Sequence, residues 1–417
     1  MIRPTLVPAE PVQRALTLAT ASASLSTGLF YSVSALYFTR VIGLPATTVG
    51  LGLTVAGAVG VAASFLGGYL GDRVGADRLQ LWANAGQGVA LMAYVLAGSA
   101  VAFTVIACFA VGARSLQGTA KATLQARWFP GPERVGIRAR LRVVTNVFIG
   151  VGTAVAAIAL LIDTAAAYRT TMVAVGLLAA AATIPLAGLR ARVPGLAERM
   201  DEHRSADGSR PAGRSPLRDR TYLASVALNS VVAMQFGLQT VGVPLWIATS
   251  TDAPTVVISV LMVVNTVFVA LFQVRASRGT HDILVAGRTV RRGTLLVAVA
   301  CLLYGAAGSV GAVAAVAVLL AAELLGSWAE IWVEAGGWGL AFELADPVNA
   351  GAYQGLSQTG YAVAGMLSPL VVTATAVDRG LPGWALLAGV FAAAGVGVAA
   401  VARHAAGRRT TDVALVA

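Results

Sequence analysis

Three glutamates, Glu323, Glu330 and Glu334, interrupt an otherwise apolar run over 313–341. Spacings of seven and four put them within about 40° of one another on one helical face. Trp328 and Trp332 fall on the opposite face. A carboxyl group inside a stretch long enough to cross a bilayer is a candidate proton relay or cation site. Glu330 is the candidate proton-coupling residue, with Glu334 beside it. A further charge, Arg114, lies near the middle of the apolar run 101–125. Burying it at that depth costs at least about 2.5–3.5 kcal/mol, so it must face a cavity or an acidic partner. It can bind an anionic group, modulate a coupled carboxylate, or stand in a structural ion pair with an acid such as Glu330. Lys121, seven residues on, shares the Arg114 face and reads as a snorkelling side chain.

Uncharged polar residues inside apolar runs are softer signals. They include Tyr31 and Ser34, Gln117, Asn146, Asn229, Gln235 and Gln239, and Asn265. Gln354, Gln358 and Tyr361 recur at i, i+4 and i+7, on one face. With Arg114, the residues Tyr31, Gln117, Asn146, Gln235, Gln239 and Gln358 are the substrate-binding candidates; an interhelical hydrogen bond is the alternative for each. Pro244, just after Gln239, is placed to kink its helix.

Several chemistries find no support. The single lysine, Lys121, follows Ala120, so no phosphate-binding G-x-x-x-x-G-K-[ST] loop exists. His203, His281 and His404 all fall in polar connections, and Cys108 and Cys301 are far apart inside apolar runs. No metal site, disulfide framework, cofactor motif or catalytic constellation follows, and the chain does not read as an enzyme.

The elements that carry these residues are set by hydropathy. The chain has 417 residues, 57% of them hydrophobic and only 12% charged, with a mean hydropathy of +0.77. Spans of about 20 apolar residues suit bilayer crossing. Twelve such runs occur: 16–38, 48–71, 79–98, 101–125, 141–162, 168–189, 222–248, 255–274, 293–309, 313–341, 349–375 and 382–403. The first has no early small-residue cleavage site and reads as a retained membrane helix, not a signal peptide.

The net charge of +11 does not point to nucleic acid, because the basic residues sit in short gaps between apolar runs. With the N-terminus inside, 25 basic residues fall in cytoplasmic segments. Only Arg40, Arg169 and Arg379 fall outside. That asymmetry puts both termini in the cytoplasm, in an inner or plasma membrane. The polar, Arg-rich stretch 190–220 reads as a flexible linker. It separates an N-terminal six-helix bundle (1–189) from a C-terminal one (221–417). The expected fold is all-α and integral to the membrane, with two pseudo-symmetric bundles.

Gly52, Ala56, Gly60, Ser64 and Gly68 recur every four residues and offer one smooth face for close helix approach. The end of that helix reads Gly68-Tyr69-Leu70-Gly71-Asp72-Arg73-Val74-Gly75. It resembles the signature after the second helix of the major facilitator superfamily. Arg114-Ser115-Leu116-Gln117-Gly118 is similar to an R-x-x-q-G element of the same superfamily. The segment from Glu330 to Trp338, followed by Gly351-Ala352-Tyr353-Gln354-Gly355, looks like helices ten and eleven of its actinobacterial members. Two departures stand out. Ala76-Asp77 replaces the usual basic pair, and Gly150-Val151-Gly152 stands where many drug/proton antiporters carry Gly-Pro.

The resemblance implies alternating access, and a gate motif comprising Gly68, Asp72, Arg73 and Gly75. Helices 1, 4, 7 and 10 would line the central cavity, which makes Tyr31, Gln235 and Gln239 the leading substrate contacts. The implied partners are a small molecule, protons and the lipid bilayer, and the implied state is a monomer. Proton-coupled efflux of a drug-like or secondary-metabolite compound is the expected function. Uptake or facilitated diffusion of a sugar or organic anion is the alternative, and a membrane enzyme or sensor on the same scaffold is the third reading.

Overall fold

A computed structural model describes residues 8–201 and 213–416. Arg3, His203 and the middle of the expected linker (202–212) lie outside the described residues. Twelve long helices follow in order: α1 (Pro11–Leu36), α2 (Ala46–Val74), α3 (Ala76–Ala93), α4 (Ala100–Trp128), α5 (Gly131–Ile162) and α6 (Ala165–Ala181). Then come α7 (Arg220–Ser250), α8 (Val256–Ala276), α9 (Ile283–Ala307), α10 (Ala312–Glu343), α11 (Ala350–Val377) and α12 (Leu381–Val416). Each contains, or closely tracks, one of the twelve apolar runs.

Nine of these helices are long and apolar enough to cross a membrane among the described residues. The 17-residue α6 is a shorter apolar helix. Neither α1 nor α3 belongs to the nine. Their polarity explains it: α1 carries Thr17, Thr20, Ser22, Ser24, Ser26 and Thr27, and α3 carries Asp77, Arg78, Gln80, Asn84 and Gln87. Much of that polarity is spent inside the fold. Ser22 and Ser26 of α1 donate to the carbonyls of Leu178 and Val175 on α6 at 2.7 Å, and Asn84 of α3 donates to Ala182.

The chain divides into two compact units. One comprises Met1–Pro130, Leu141–Arg214 and Asp346–Thr359; the other comprises Gly131–Arg140, Ser215–Ala345 and Gly360–Ala417. Within the first, α1 packs on α6, α2 on α4, and α3 on both α4 and α6. Within the second, α7 packs on α12, α8 on α10, and α9 on both α10 and α12. The second set is the first displaced by six helices, as a duplicated bundle requires.

The small-residue stripe of α2 is the packing face towards α4. A Cβ at Gly52 would sit 2.7 Å from the Phe103 ring, and one at Gly60 would sit 2.9 Å from Val111. Ala56 is fully buried, and Thr119 of α4 donates to the Ser64 carbonyl at 3.2 Å. The turn between α2 and α3 is a single residue, Gly75, with φ of +94°. This is a conformation that side-chain-bearing residues rarely adopt.

Three helices carry a wide π-helical turn: Tyr37–Val41 at the end of α1, Leu238–Gly242 within α7, and Thr373–Val377 within α11. Two of these sit close to a proline. Pro244 follows the turn in α7, and Pro369 precedes the one in α11. In α7 the widened turn lies just before Pro244, where a proline removes a donor and crowds the preceding turn, and the wider helix accommodates both. The disruption expected at Pro244 therefore appears as this altered turn.

Candidate functional site

The second unit gathers its buried charge on α10. Glu323, Glu330 and Glu334 are all at least 96% buried, and each meets a hydrogen-bond donor from a different neighbouring helix. Tyr304 of α9 donates its hydroxyl to Glu323 Oε2 at 2.7 Å. Asn265 of α8 donates its side-chain amide to Glu330 Oε2 at 2.9 Å. Tyr361 of α11 donates to Glu334 Oε1 at 3.0 Å. Ser327, one turn after Glu323, donates to Glu323 Oε1 at 3.4 Å and receives the Asn265 amide at 3.2 Å. Tyr304, Glu323, Ser327, Asn265 and Glu330 thus form one hydrogen-bonded chain across three helices.

Two members of that chain, Glu323 and Asn265, reach a cavity. Glu323 helps to wall a cavity of about 110 Å³ with Gln239, Thr240, Leu261, Met262 and Asn265. Glu323 was legible as one of three acids on one face, but nothing in its spacing distinguished it from Glu330. Tyr304 gave no signal, because a tyrosine in an apolar run is compatible with simple packing. Asn265 and Tyr361 were visible as polar residues without an indicated partner.

The first unit holds the opposite charge. Arg114 of α4 pairs with no acid among the described residues. Its guanidinium donates to the Tyr31 hydroxyl at 2.7 Å and lies 5.5 Å from the centre of the Tyr31 ring. Both side chains are exposed. Arg114 also borders a largely apolar cavity of about 50 Å³ formed with Ser26, Phe30, Gln87 and Tyr94. A charge in a membrane helix is tolerable when it faces such a cavity.

Two of the gate-motif residues, Gly68 and Asp72, meet the start of α11. Asp72, 8% exposed, accepts the backbone N–H of Gly351 at 2.9 Å and that of Ala352 at 2.8 Å. These are free donors of the first helical turn, so Asp72 caps α11 from outside. Arg127 of α4 pairs with the same carboxylate at 2.5 Å and donates to the Met200 carbonyl at 3.0 Å. Gly68 makes the approach possible. A Cβ there would lie 2.9 Å from the Gly355 Cα, and one at Gly355 would lie 2.8 Å from the Gly68 Cα. Arg73 points outward and is exposed. Beside Gly75, Arg190 grips Asp77 and Asp201 together, at 2.5 and 2.6 Å. Hydrogen bonding to Asp77, then to Asp201, holds the Arg190 guanidinium above its ordinary pKa, against the opposing effect of desolvation.

The remaining substrate-binding candidates are scattered. Gln239 joins the Glu323 cavity. Gln235, one turn earlier, is buried, and its Nε2 has no hydrogen-bond partner among the described residues. Gln117, Asn146 and Gln358 are half-buried, and none of the three lines either cavity described above.

A family model described as Major Facilitator Superfamily matches residues 16–369. No curated protein matches the sequence. Several solved structures share the fold. The human organic anion transporter MFSD10 (TETRAN) aligns with a TM-score of 0.71 at 15% identity, covering 94% of this chain and all of that one. A bacterial homologue of the iron transporter ferroportin, in an outward-facing state, gives 0.71 at 14% identity, covering 94% and 98%. The proton:xylose symporter XylE gives 0.67 at 14% identity, covering 93% and 94%.

Proposed function

This chain belongs to the Major Facilitator Superfamily, and from that premise we propose that it exports a drug-like or secondary-metabolite compound by proton-coupled alternating access. It is a multi-pass membrane transporter and not an enzyme. One observation carries the proton coupling: three buried carboxyl groups on one face of a membrane helix, each hydrogen-bonded by a neutral donor. Glu330 is the coupling residue in this reading, with Glu334 beside it and Arg114 as the modulating charge.

Asp72 supplies the gate in the same reading. Its grip on Gly351, Ala352 and Arg127 holds the cytoplasmic end shut, with Gly68, Arg73 and Gly75 shaping the turn. Release of the α11 cap opens that end. The arginine asymmetry orients the chain with both termini in the cytoplasm of a plasma or inner membrane, and a single copy suffices. Arg114, Gln117, Asn146 and Tyr31 of the first unit, with Gln235, Gln239 and Gln358, are the proposed substrate contacts.

The test is transport into proteoliposomes under an imposed pH gradient. Wild type is expected to concentrate a fluorescent compound only when the gradient is present, and Glu330→Gln to lose that drive while remaining folded. Undiminished gradient-driven accumulation by Glu330→Gln ends the assignment. The exposed Arg114–Tyr31 pair favours a second reading, uptake or facilitated diffusion of an organic anion. Accumulation of an anion that needs Arg114 and ignores the pH gradient would establish it instead.

A further inference from the structure

The cavity beside Glu323 has a chemistry that the coupling assignment leaves unused. Its walls come from α7, α8 and α10 of one unit. Its polar groups are few: the amides of Gln239 and Asn265, the hydroxyls of Thr240 and Thr266, and the carboxyl of Glu323. Leu261 and Met262 stand on the apolar side. A cavity of about 110 Å³ has room for the small head of a ligand, and it sets an apolar side against a few orienting polar groups, as small-molecule sites do.

Charge decides what such a site accepts. Glu323 is 96% buried, and among the described residues it forms no ion pair. A buried carboxylate without a countercharge is strongly disfavoured. Tyr304 and Ser327 each donate to a different Glu323 oxygen. A carboxylate offers roughly four acceptor positions, so about half are free for something else. Asn265 is held in place by its bonds to Ser327 and Glu330, which fixes its orientation at the cavity wall.

We propose that this cavity recognises the cationic head of an amphipathic organic substrate, a protonated amine or quaternary ammonium, with Glu323 as its countercharge. The inference rests on the reading that the chain carries a small molecule, and it names that molecule's class. A metal ion fits poorly, because hard cations take six or more oxygen ligands and Glu323 is the one carboxylate in this wall. An anion meets repulsion. An organic cation satisfies both sides of the cavity, its charge against Glu323 and its body against Leu261 and Met262.

The test is equilibrium binding of radiolabelled benzyltrimethylammonium to the full chain in nanodiscs. Saturable binding is expected. Glu323→Gln should weaken it at least about tenfold, the loss of one charge-assisted contact. Met262→Trp fills the apolar side and leaves the carboxyl group untouched. It should weaken binding to a similar degree, so it decides the matter if Glu323→Gln does not fold. Excess benzenesulfonate should displace none of the label. Absence of saturable binding to wild type, equal binding by folded Glu323→Gln, or displacement by benzenesulfonate overturns the inference. Its failure is separable from that of proton-coupled export. Gradient-driven movement of a neutral compound without cation binding sinks only the substrate class, whereas cation binding without any gradient-driven transport sinks only the coupling.

Discussion

The Asp72 cap makes an asymmetric prediction about two partners in one ion pair. Asp72 and Arg127 are both buried, with side chains 7% and 4% exposed. Removing one member of a buried pair costs about 3–5 kcal/mol, because the other charge is left behind. The two remainders differ. Arg127→Gln leaves Asp72 facing the N–H groups of Gly351 and Ala352 at 2.9 and 2.8 Å, at the positive end of α11. A cap of this kind contributes about 0.5–2 kcal/mol, and the helix dipole can add up to about 2 kcal/mol in a partly buried setting. Asp72→Asn, in contrast, removes the anion from both α11 and Arg127. Asp72→Asn is therefore expected to be the costlier change, by about 2 kcal/mol or roughly thirtyfold in the unfolding equilibrium. The double variant is expected to be clearly less damaging than the sum of the two singles. Reversible unfolding in mixed micelles, followed by tryptophan fluorescence, measures all three. An Arg127→Gln cost equal to or above that of Asp72→Asn, or strict additivity in the double variant, would refute this account of the cap.

Other substitutions probe separate features. Gly75→Ala forces a side chain into φ of +94° beside the Arg190 guanidinium, and should destabilise by about 1–3 kcal/mol in the same unfolding assay. Gly355→Val pushes branched carbons into the Gly68 backbone; loss of the α2–α11 approach should appear as faster proteolysis near residue 350, and unchanged cleavage would argue against the close contact. Tyr31→Phe deletes the 2.7 Å bond to Arg114 between two exposed side chains, so stability should change by less than about 1 kcal/mol. Any larger effect on substrate affinity than on stability would place the pair in binding. Tyr304→Phe removes a 2.7 Å donor from buried Glu323 and should destabilise by about 1–3 kcal/mol; a neutral result would mean that the bond contributes little.

The helical architecture was legible because a bilayer imposes a length and a hydropathy that few other structures need. Gly75 and the small-residue stripe were legible because their roles are local: a one-residue turn and a smooth face. The site was legible in part. Spacings of seven and four predicted three acids on one side of α10. They could not say that α9, α8 and α11 each contribute a donor to one acid, because those meetings depend on tertiary packing. The choice between Glu323 and Glu330 was hidden for the same reason: one helical turn or two separates an acid at a cavity from an acid inside the packing. Asp72 was visible through its motif, but its cap on α11 spans 279 residues of sequence and leaves no periodic trace. Arg190 looked like one basic residue among many in a polar connection. Its double grip on Asp77 and Asp201 emerged only when the short helices Leu189–Arg192 and Leu196–Asp201 were seen docked on the first unit.

The repeated packing pattern has an electrical counterpart. α4 and α10 occupy equivalent places in the two units, each packed against the second and third helices of its own set. Yet α4 carries Arg114 at mid-length and α10 carries three buried carboxyl groups. The backbone is duplicated, and the charge is inverted. Two copies of the first unit joined in tandem would repeat its helix pairings and would carry Arg114 twice, with none of the three buried carboxyl groups of α10. What duplication made interchangeable in shape, divergence has made complementary in sign, and the two units are no longer spare copies of each other.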